Sequence, residues 1–167
     1  MSKAVLISIR PEWVVKIVTG EKTVEIRKTR PSLDPPFRCY IYLTKQHRPF
    51  TLRTNGGASG KRYDGRVMAE FTCTSIDEIR PENESYGTYD IDDDYVLKTC
   101  MGNGTMWDYG KGQTLYGWNI SDVHIYYPTP MELFDFTGIR SSGVWLELYE
   151  MQRAPQSWCY VEELNNG

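Results

Sequence analysis

Residues 20–28 read Gly-Glu-Lys-Thr-Val-Glu-Ile-Arg-Lys, and no other stretch constrains the fold of this chain as tightly. Val24 and Ile26 alternate with Thr23, Glu25 and Arg27, the period-two signature of a half-buried strand. In such a strand Thr23, Glu25 and Arg27 share one face and Val24 and Ile26 the other. Lys22 stands at the strand entry, with a stem long enough to swing its ammonium to either side. Alternating charge of this kind is ordinarily a solvated face, with Glu25 pairing Arg27 or a cross-strand cation. The sharper reading is a hydroxyl, a carboxylate and two or three cations aligned for a polar ligand.

The residues upstream favour the sharper reading. Positions 4–9 form a short apolar run suited to a buried strand, and Pro11 fits the first position of a helix. Val14, Ile17 and Val18 follow at helical spacing, and Gly20 is placed to end that helix in a left-handed conformation. The order is therefore strand, short helix, glycine turn and polar-faced strand. The turn brings Lys22 and Glu25 close to a helix C-terminus, where a cation is favoured.

Ser8-Ile9-Arg10-Pro11-Glu12, the helix, and Gly20-Glu21-Lys22-Thr23-Val24-Glu25-Ile26-Arg27 resemble the opening of the ASCH domain. Gly65-Arg66-Val67-Met68-Ala69-Glu70-Phe71 resembles that family's strand after its variable loop. The family is related to the PUA fold, so the resemblance implies an α+β chain: a PUA-like mixed β-barrel with two or three short flanking helices. It also implies an RNA-associated role, with a cleft beside the helix-turn-strand unit lined by Lys22, Thr23, Glu25 and Arg27. In that cleft the cations would neutralise phosphate and Glu25 would accept from a base. Some compact members resemble this chain in the Gly-x-Lys-Thr segment and deacetylate an acetylated cytidine nucleoside with a lysine, a threonine and a distant glutamate. Lys22 matches the lysine, Glu25 stands where the threonine belongs, Thr23 is the substitute hydroxyl, and Glu70 is the candidate for the third group. The two readings are thus an RNA- or nucleotide-binding module and, alternatively, a small metal-free amidohydrolase with Lys22 and Glu25 as catalytic residues. A role through protein contacts alone is left open by the sequence.

With 167 residues and 40% hydrophobic content, a single folded domain spanning 1–167 is expected. Most of the 5 Trp, 12 Tyr and 5 Phe are assigned to a β-rich core, a few to a ligand platform. No run is long enough to span a membrane, and the N-terminal residues lack a secretion-signal pattern, so a cytoplasmic location is expected. The sequons at Asn83, Asn103 and Asn119 then read as chance matches. Cys39, Cys73, Cys100 and Cys159 are widely spaced and read as free thiols; neither they nor the 2 His suggest a metal, and no motif calls for a cofactor. Gly60-Lys61 fails as a phosphate loop because Arg62 replaces the magnesium-binding hydroxyl, and the acidic run at 90–94 fails as a calcium loop because Tyr95 replaces its glycine.

The net charge of -3 conceals an uneven distribution. Residues 22–53 hold 8 basic side chains against 2 acidic, and residues 76–96 hold 8 acidic against Arg80 alone. Such a dipolar surface presents a cationic face to phosphate, or it is two solvated surfaces that attract each other. Strands are expected over 39–44, 66–73, 115–120, 123–127 and 144–149 and in the tail ending near Val161, and a helix over 92–101, capped by Asp92 and ended by Gly102. Residues 45–64, with Asn55-Gly56-Gly57 as turn chemistry, are expected to be a mobile loop.

Overall fold

The computed structural model describes residues 2–165. In chain order the elements are β1 (Lys3–Ile9), α1 (Pro11–Val18), β2 (Val24–Arg27), β3 (Phe37–Leu43), β4 (Thr51–Thr54), β5 (Gly57–Arg62) and β6 (Arg66–Ile79). They continue with β7 (Pro81–Asn83), β8 (Thr88–Tyr89), α2 (Asp93–Thr99), α3 (Asn103–Gly110), β9 (Leu115–Ile125), a 3-10 turn (Leu133–Asp135), β10 (Thr137–Ser141), β11 (Leu146–Glu150) and β12 (Trp158–Glu162). Eight strands form one mixed sheet in the order β11-β10-β12-β1-β3-β6-β9-β2. Only β1 and β3 run parallel; the other neighbours are antiparallel. The sheet ends at β2 and β11, and among the described residues no pairing joins those edges to close the barrel expected from the sequence.

Strand β1 is buried on both faces from Ala4 onward, which explains the apolar run from Ala4 to Ile7. Val5, Ile7 and Ile9 enter a core shared with Val14 and Ile17 of α1, while Ala4 and Leu6 enter a second cluster with Tyr40, Phe136 and Val161. A third cluster, including Val24, Ile26, Tyr89, Met106 and Leu115, lies under the α2–α3 segment. Helix α1 starts with Pro11 as expected and runs to Val18; Thr19 caps it, and Gly20 follows at φ +82°, where a side chain would be strained. That turn sends the chain to the far edge of the sheet, where β2 pairs only with β9.

Several expectations from sequence need correction. The 45–64 segment, expected as a loop, contains the antiparallel β4–β5 hairpin, turning at Asn55-Gly56. The two strands expected at 115–120 and 123–127 are one continuous strand, β9. Asp122 at φ +52° and shifts in its pairing with β6 absorb the irregularity within a single element. Strand β6 extends six residues beyond Cys73 because its second half finds a partner in β9. Asp92 caps α2 by accepting from the Tyr95 N–H at 2.8 Å, as expected, but Cys100 in the left-handed region ends the helix. Gly102 instead begins α3, a helix the sequence reading did not anticipate.

Candidate ligand-binding cleft

Strand β2 begins at Val24, one residue later than a face shared by Thr23, Glu25 and Arg27 requires. The Thr23 backbone is held by Lys98 and Ile120, and its side chain is exposed. Within the strand the alternation holds. Val24 and Ile26 enter the apolar cluster beneath α2 and α3, while Glu25 and Arg27 sit opposite Trp118 and Tyr116 of β9. Directly opposed residues of an antiparallel pair point to the same side of the sheet, so Glu25 shares a face with the fully buried Trp118.

Around Glu25 the structure builds an ionic cluster from both directions of the chain. Lys22 Nζ lies 3.6 Å from Glu25 Oε1, and Arg27 NH2 lies 3.3 Å from Oε2. The Ile26 N–H also donates to Oε1 at 3.1 Å. Lys22 is 1% exposed and Glu25 5% exposed, so the pair exists away from bulk water. The Lys22 ammonium donates to the Thr99 carbonyl at the end of α2, at 2.5 Å, and lies 5.0 Å from the centre of the Trp13 ring. Burial lowers the pKa of this lysine, and the neighbouring Glu25 carboxylate opposes that effect.

Arg27 ties the cluster to the segment that leads into β12. Its NH2 donates to the Ser8 carbonyl at 2.7 Å, and its NH1 to Ser157 Oγ at 3.2 Å and the Ser157 carbonyl at 3.4 Å. Ser8 reinforces the same junction by donating its hydroxyl to the Pro155 carbonyl at 2.6 Å. Thus the segment before β12, the end of β1 and β2 converge on one guanidinium. No local sequence pattern signals this, because Arg27 and Ser157 are 130 residues apart.

A cavity of about 480 Å³ opens at this junction. Glu25 and Arg27 form part of its wall, Arg10, Glu12 and Trp13 supply the start of α1, and Thr105 and Tyr109 supply α3. Gln156 and Ser157 close another side, and Thr44, just after β3, lies at its margin. Lys28 sits over the Tyr109 ring, 4.8 Å from its centroid. The wall therefore combines two aromatic rings, cations, two carboxylates, an amide and hydroxyls, the mixture that fixes a small polar ligand by orientation as well as contact. The α3 contribution escaped sequence reasoning because nothing in Asn103-Gly104-Thr105-Met106 advertises a helix.

Of the expected site residues, Lys22, Glu25 and Arg27 come together, but only Glu25 and Arg27 line the cavity; Lys22 is buried beside Glu25 and lies outside the wall. Thr23 does not join them, because its side chain lies outside the strand face and the cavity wall. Glu70 does not either: it lies on β6, opposite Tyr40 of β3 and His124 of β9, in an ion pair with Arg38. The resemblance placed Glu70 by sequence order alone, and the central position of β6 in the sheet separates it from the edge strand β2. Among the described residues, no group of three or more His, Cys, Asp or Glu could hold a metal ion. No helix among them is long and apolar enough to cross a membrane.

No protein-family model and no curated relative matches the chain. Solved structures do. An ASCH protein from Zymomonas mobilis superposes with a TM-score of 0.61 at 20% identity, covering 96% of this chain and 88% of that one. A serine-to-alanine variant of the same protein gives 0.61 at 18% identity over 96% and 89% of the two chains. A tyrosine-to-phenylalanine variant gives 0.55 at 19% identity over 97% and 92%.

Proposed function

From the ASCH fold that the chain shares with these structures, we propose that it binds a nucleoside-like ligand, as part of RNA or as a nucleotide, in the cleft around Glu25. The observation that carries this reading is the carboxylate itself, placed in the wall of a cavity and flanked on both sides by cations. A carboxylate has about four lone-pair sites; the Ile26 N–H and Arg27 occupy two by hydrogen bonding, and the Lys22 ammonium lies against a third. The remaining capacity suits the amino or imino N–H groups of a base edge. Trp13 and Tyr109 supply aromatic surface, Gln156 an amide able to donate and accept, and Arg10 a cation at the rim.

Calorimetric titration of nucleosides and nucleoside monophosphates tests the reading. Glu25→Gln replaces an acceptor by a group that must donate on one side, so affinity falls about ten- to a hundredfold, the worth of one hydrogen bond to a charged group. Binding indifferent to that change, or no binding by the native chain, overturns the proposal. The amidohydrolase alternative draws on the desolvated Lys22 beside Glu25. Release of acetate from an acetylated cytidine, abolished in Lys22→Ala, would replace binding with catalysis as the role of the cleft.

A further inference from the structure

The hairpin formed by β4 and β5 is rooted at the rim of this cleft. Thr44 belongs to the cavity wall, and the Gln46 side chain donates to the Thr44 carbonyl at 2.9 Å and to its hydroxyl at 3.2 Å. Behind that point stands Asp64, whose side chain is inaccessible to water. Its oxygens accept from the Gln46 N–H at 2.8 Å and the Phe50 N–H at 2.7 Å. They also accept a two-pronged contact from Arg62, at 2.9 and 2.7 Å. Arg62 in turn donates to the Gln46 carbonyl at 2.8 Å, and the Tyr63 N–H to the Phe50 carbonyl at 2.8 Å. One buried carboxylate thus clamps both ends of the hairpin to the chain that borders the cleft.

The segment that the clamp anchors is cationic. Residues 45–62 contain Lys45, Arg48, Arg53, Lys61 and Arg62 and no Asp or Glu. Arg62 is neutralised by Asp64, whereas Lys45, Arg48 and Arg53 are exposed and form no ion pair among the described residues. None of these three is paired with the acidic 76–96 segment among the described residues.

We propose that the β4–β5 hairpin, together with the 45–50 segment that leads into it, is a phosphate-binding arm, taking the backbone of a single-stranded nucleic acid whose nucleoside occupies the cleft at its root. The inference rests on the cleft reading and extends it: the ligand is a segment of a polyanion, with one nucleotide read in the cavity and its neighbours held by charge. Unneutralised cations on an anchored segment displace counterions from such a backbone, each contributing about -0.7 to the logarithmic salt slope of single-strand binding.

The test compares the native chain with a Lys45→Gln, Arg48→Gln, Arg53→Gln triple variant, using a fluorescein-labelled oligouridine of about a dozen nucleotides and, separately, uridine monophosphate. Fluorescence anisotropy between about 50 and 200 mM salt is expected to show the oligouridine slope reduced by about 2 in the variant. Its affinity at the lower salt is expected to fall by at least tenfold, and the monophosphate affinity to stay unchanged. A charge-reversed Arg53→Glu variant should weaken oligouridine binding more than Arg53→Gln alone, without altering the thermal melting temperature. The same titration with oligothymidine distinguishes the source of the phosphates, and a loss with either strand supports the arm. Identical slopes for native and neutralised chains overturn the arm while leaving the cleft intact. A slope that falls while Glu25→Gln has no effect upholds the arm and overturns the cleft. An oligouridine that does not bind the native chain overturns the arm as well.

Discussion

Lys22 Nζ and Glu25 Oε1 lie 3.6 Å apart with almost no solvent access to either side chain, yet the two residues do not depend on each other equally. Glu25 retains Arg27 if Lys22 is removed; Lys22 retains only the Thr99 carbonyl and the Trp13 ring if Glu25 is removed. Stranding a buried charge costs about 3–5 kcal/mol, whereas deleting one whose partner keeps another counter-ion costs far less. Glu25→Ala is therefore expected to destabilise the fold by about 3–5 kcal/mol and Lys22→Met by about 1 kcal/mol. Urea denaturation of both variants checks the order; a Lys22→Met loss equal to that of Glu25→Ala would show that the ammonium is the group that organises the cluster.

Arg27→Lys preserves the charge beside Glu25 but cannot reproduce a planar fork reaching Glu25, Ser8 and Ser157 at once. The expected cost is about 2 kcal/mol, typical of hydrogen bonds made by charged groups. The effect should be local. Amide exchange should accelerate at residues 156–158, where the cavity wall loses its tether, and stay unchanged in β3 and β6, whose pairing does not involve Arg27. Uniform acceleration across the sheet would instead identify Arg27 as a global stabiliser.

Local patterns disclosed the half of the site that is local. Pro11, the apolar spacing in α1 and Gly20 fix the helix and turn, and the alternation at Val24 and Ile26 fixes the direction of Glu25 and Arg27. Thr23 was misassigned because a strand's first residue depends on its partner: Ile120 of β9 reaches only its carbonyl, and its own N–H turns to Lys98. Nothing local distinguishes Glu70, facing Arg38 across the sheet, from a cleft carboxylate. Ser157, Thr44 and Tyr109 come to the cavity through sheet order and the docking of α3, which are tertiary consequences. The 45–64 segment was harder still. Its polar, glycine-rich composition resembles a loop, and the buried Asp64 that organises it is one acidic residue among many in the sequence.

That carboxylate gives the fold a defined acid sensitivity. Hydrogen bonds from Arg62, Phe50 and Gln46, working against its burial, hold the Asp64 pKa down at about 2, from an ordinary 3.8. A depressed folded-state value means that the native chain binds fewer protons than the unfolded one between these limits, so stability rises with pH there. The contribution is complete above the unfolded value and is lost as pH falls from about 4 to about 2. It amounts to about 2 kcal/mol. Thermal unfolding across this range should show Asp64→Asn less stable than the native chain at neutral pH, with the difference shrinking as acid is added. A gap that stays constant down to about pH 2 would mean that Asp64 acts by shape and not by charge.

Tyr109 offers a test of whether the cleft uses its aromatic wall. Burial raises the pKa of its phenol, so the ring is neutral at physiological pH and presents an uncharged face. Lys28 lies over that ring at 4.8 Å from the centroid, so a base stacking on Tyr109 either takes the opposite face or displaces the ammonium. Stacking of one base is worth about 1–3 kcal/mol, so Tyr109→Ala should weaken nucleoside binding by about five- to a hundredfold. Tyr109→Phe keeps the ring and should bind like the native chain. Lys28→Gln separates the two stacking modes, because it strengthens binding if the ammonium must first be displaced and leaves it unchanged if the free face is used. Equal losses in the Phe and Ala variants would assign the contact to the hydroxyl and remove stacking from the account of this cleft.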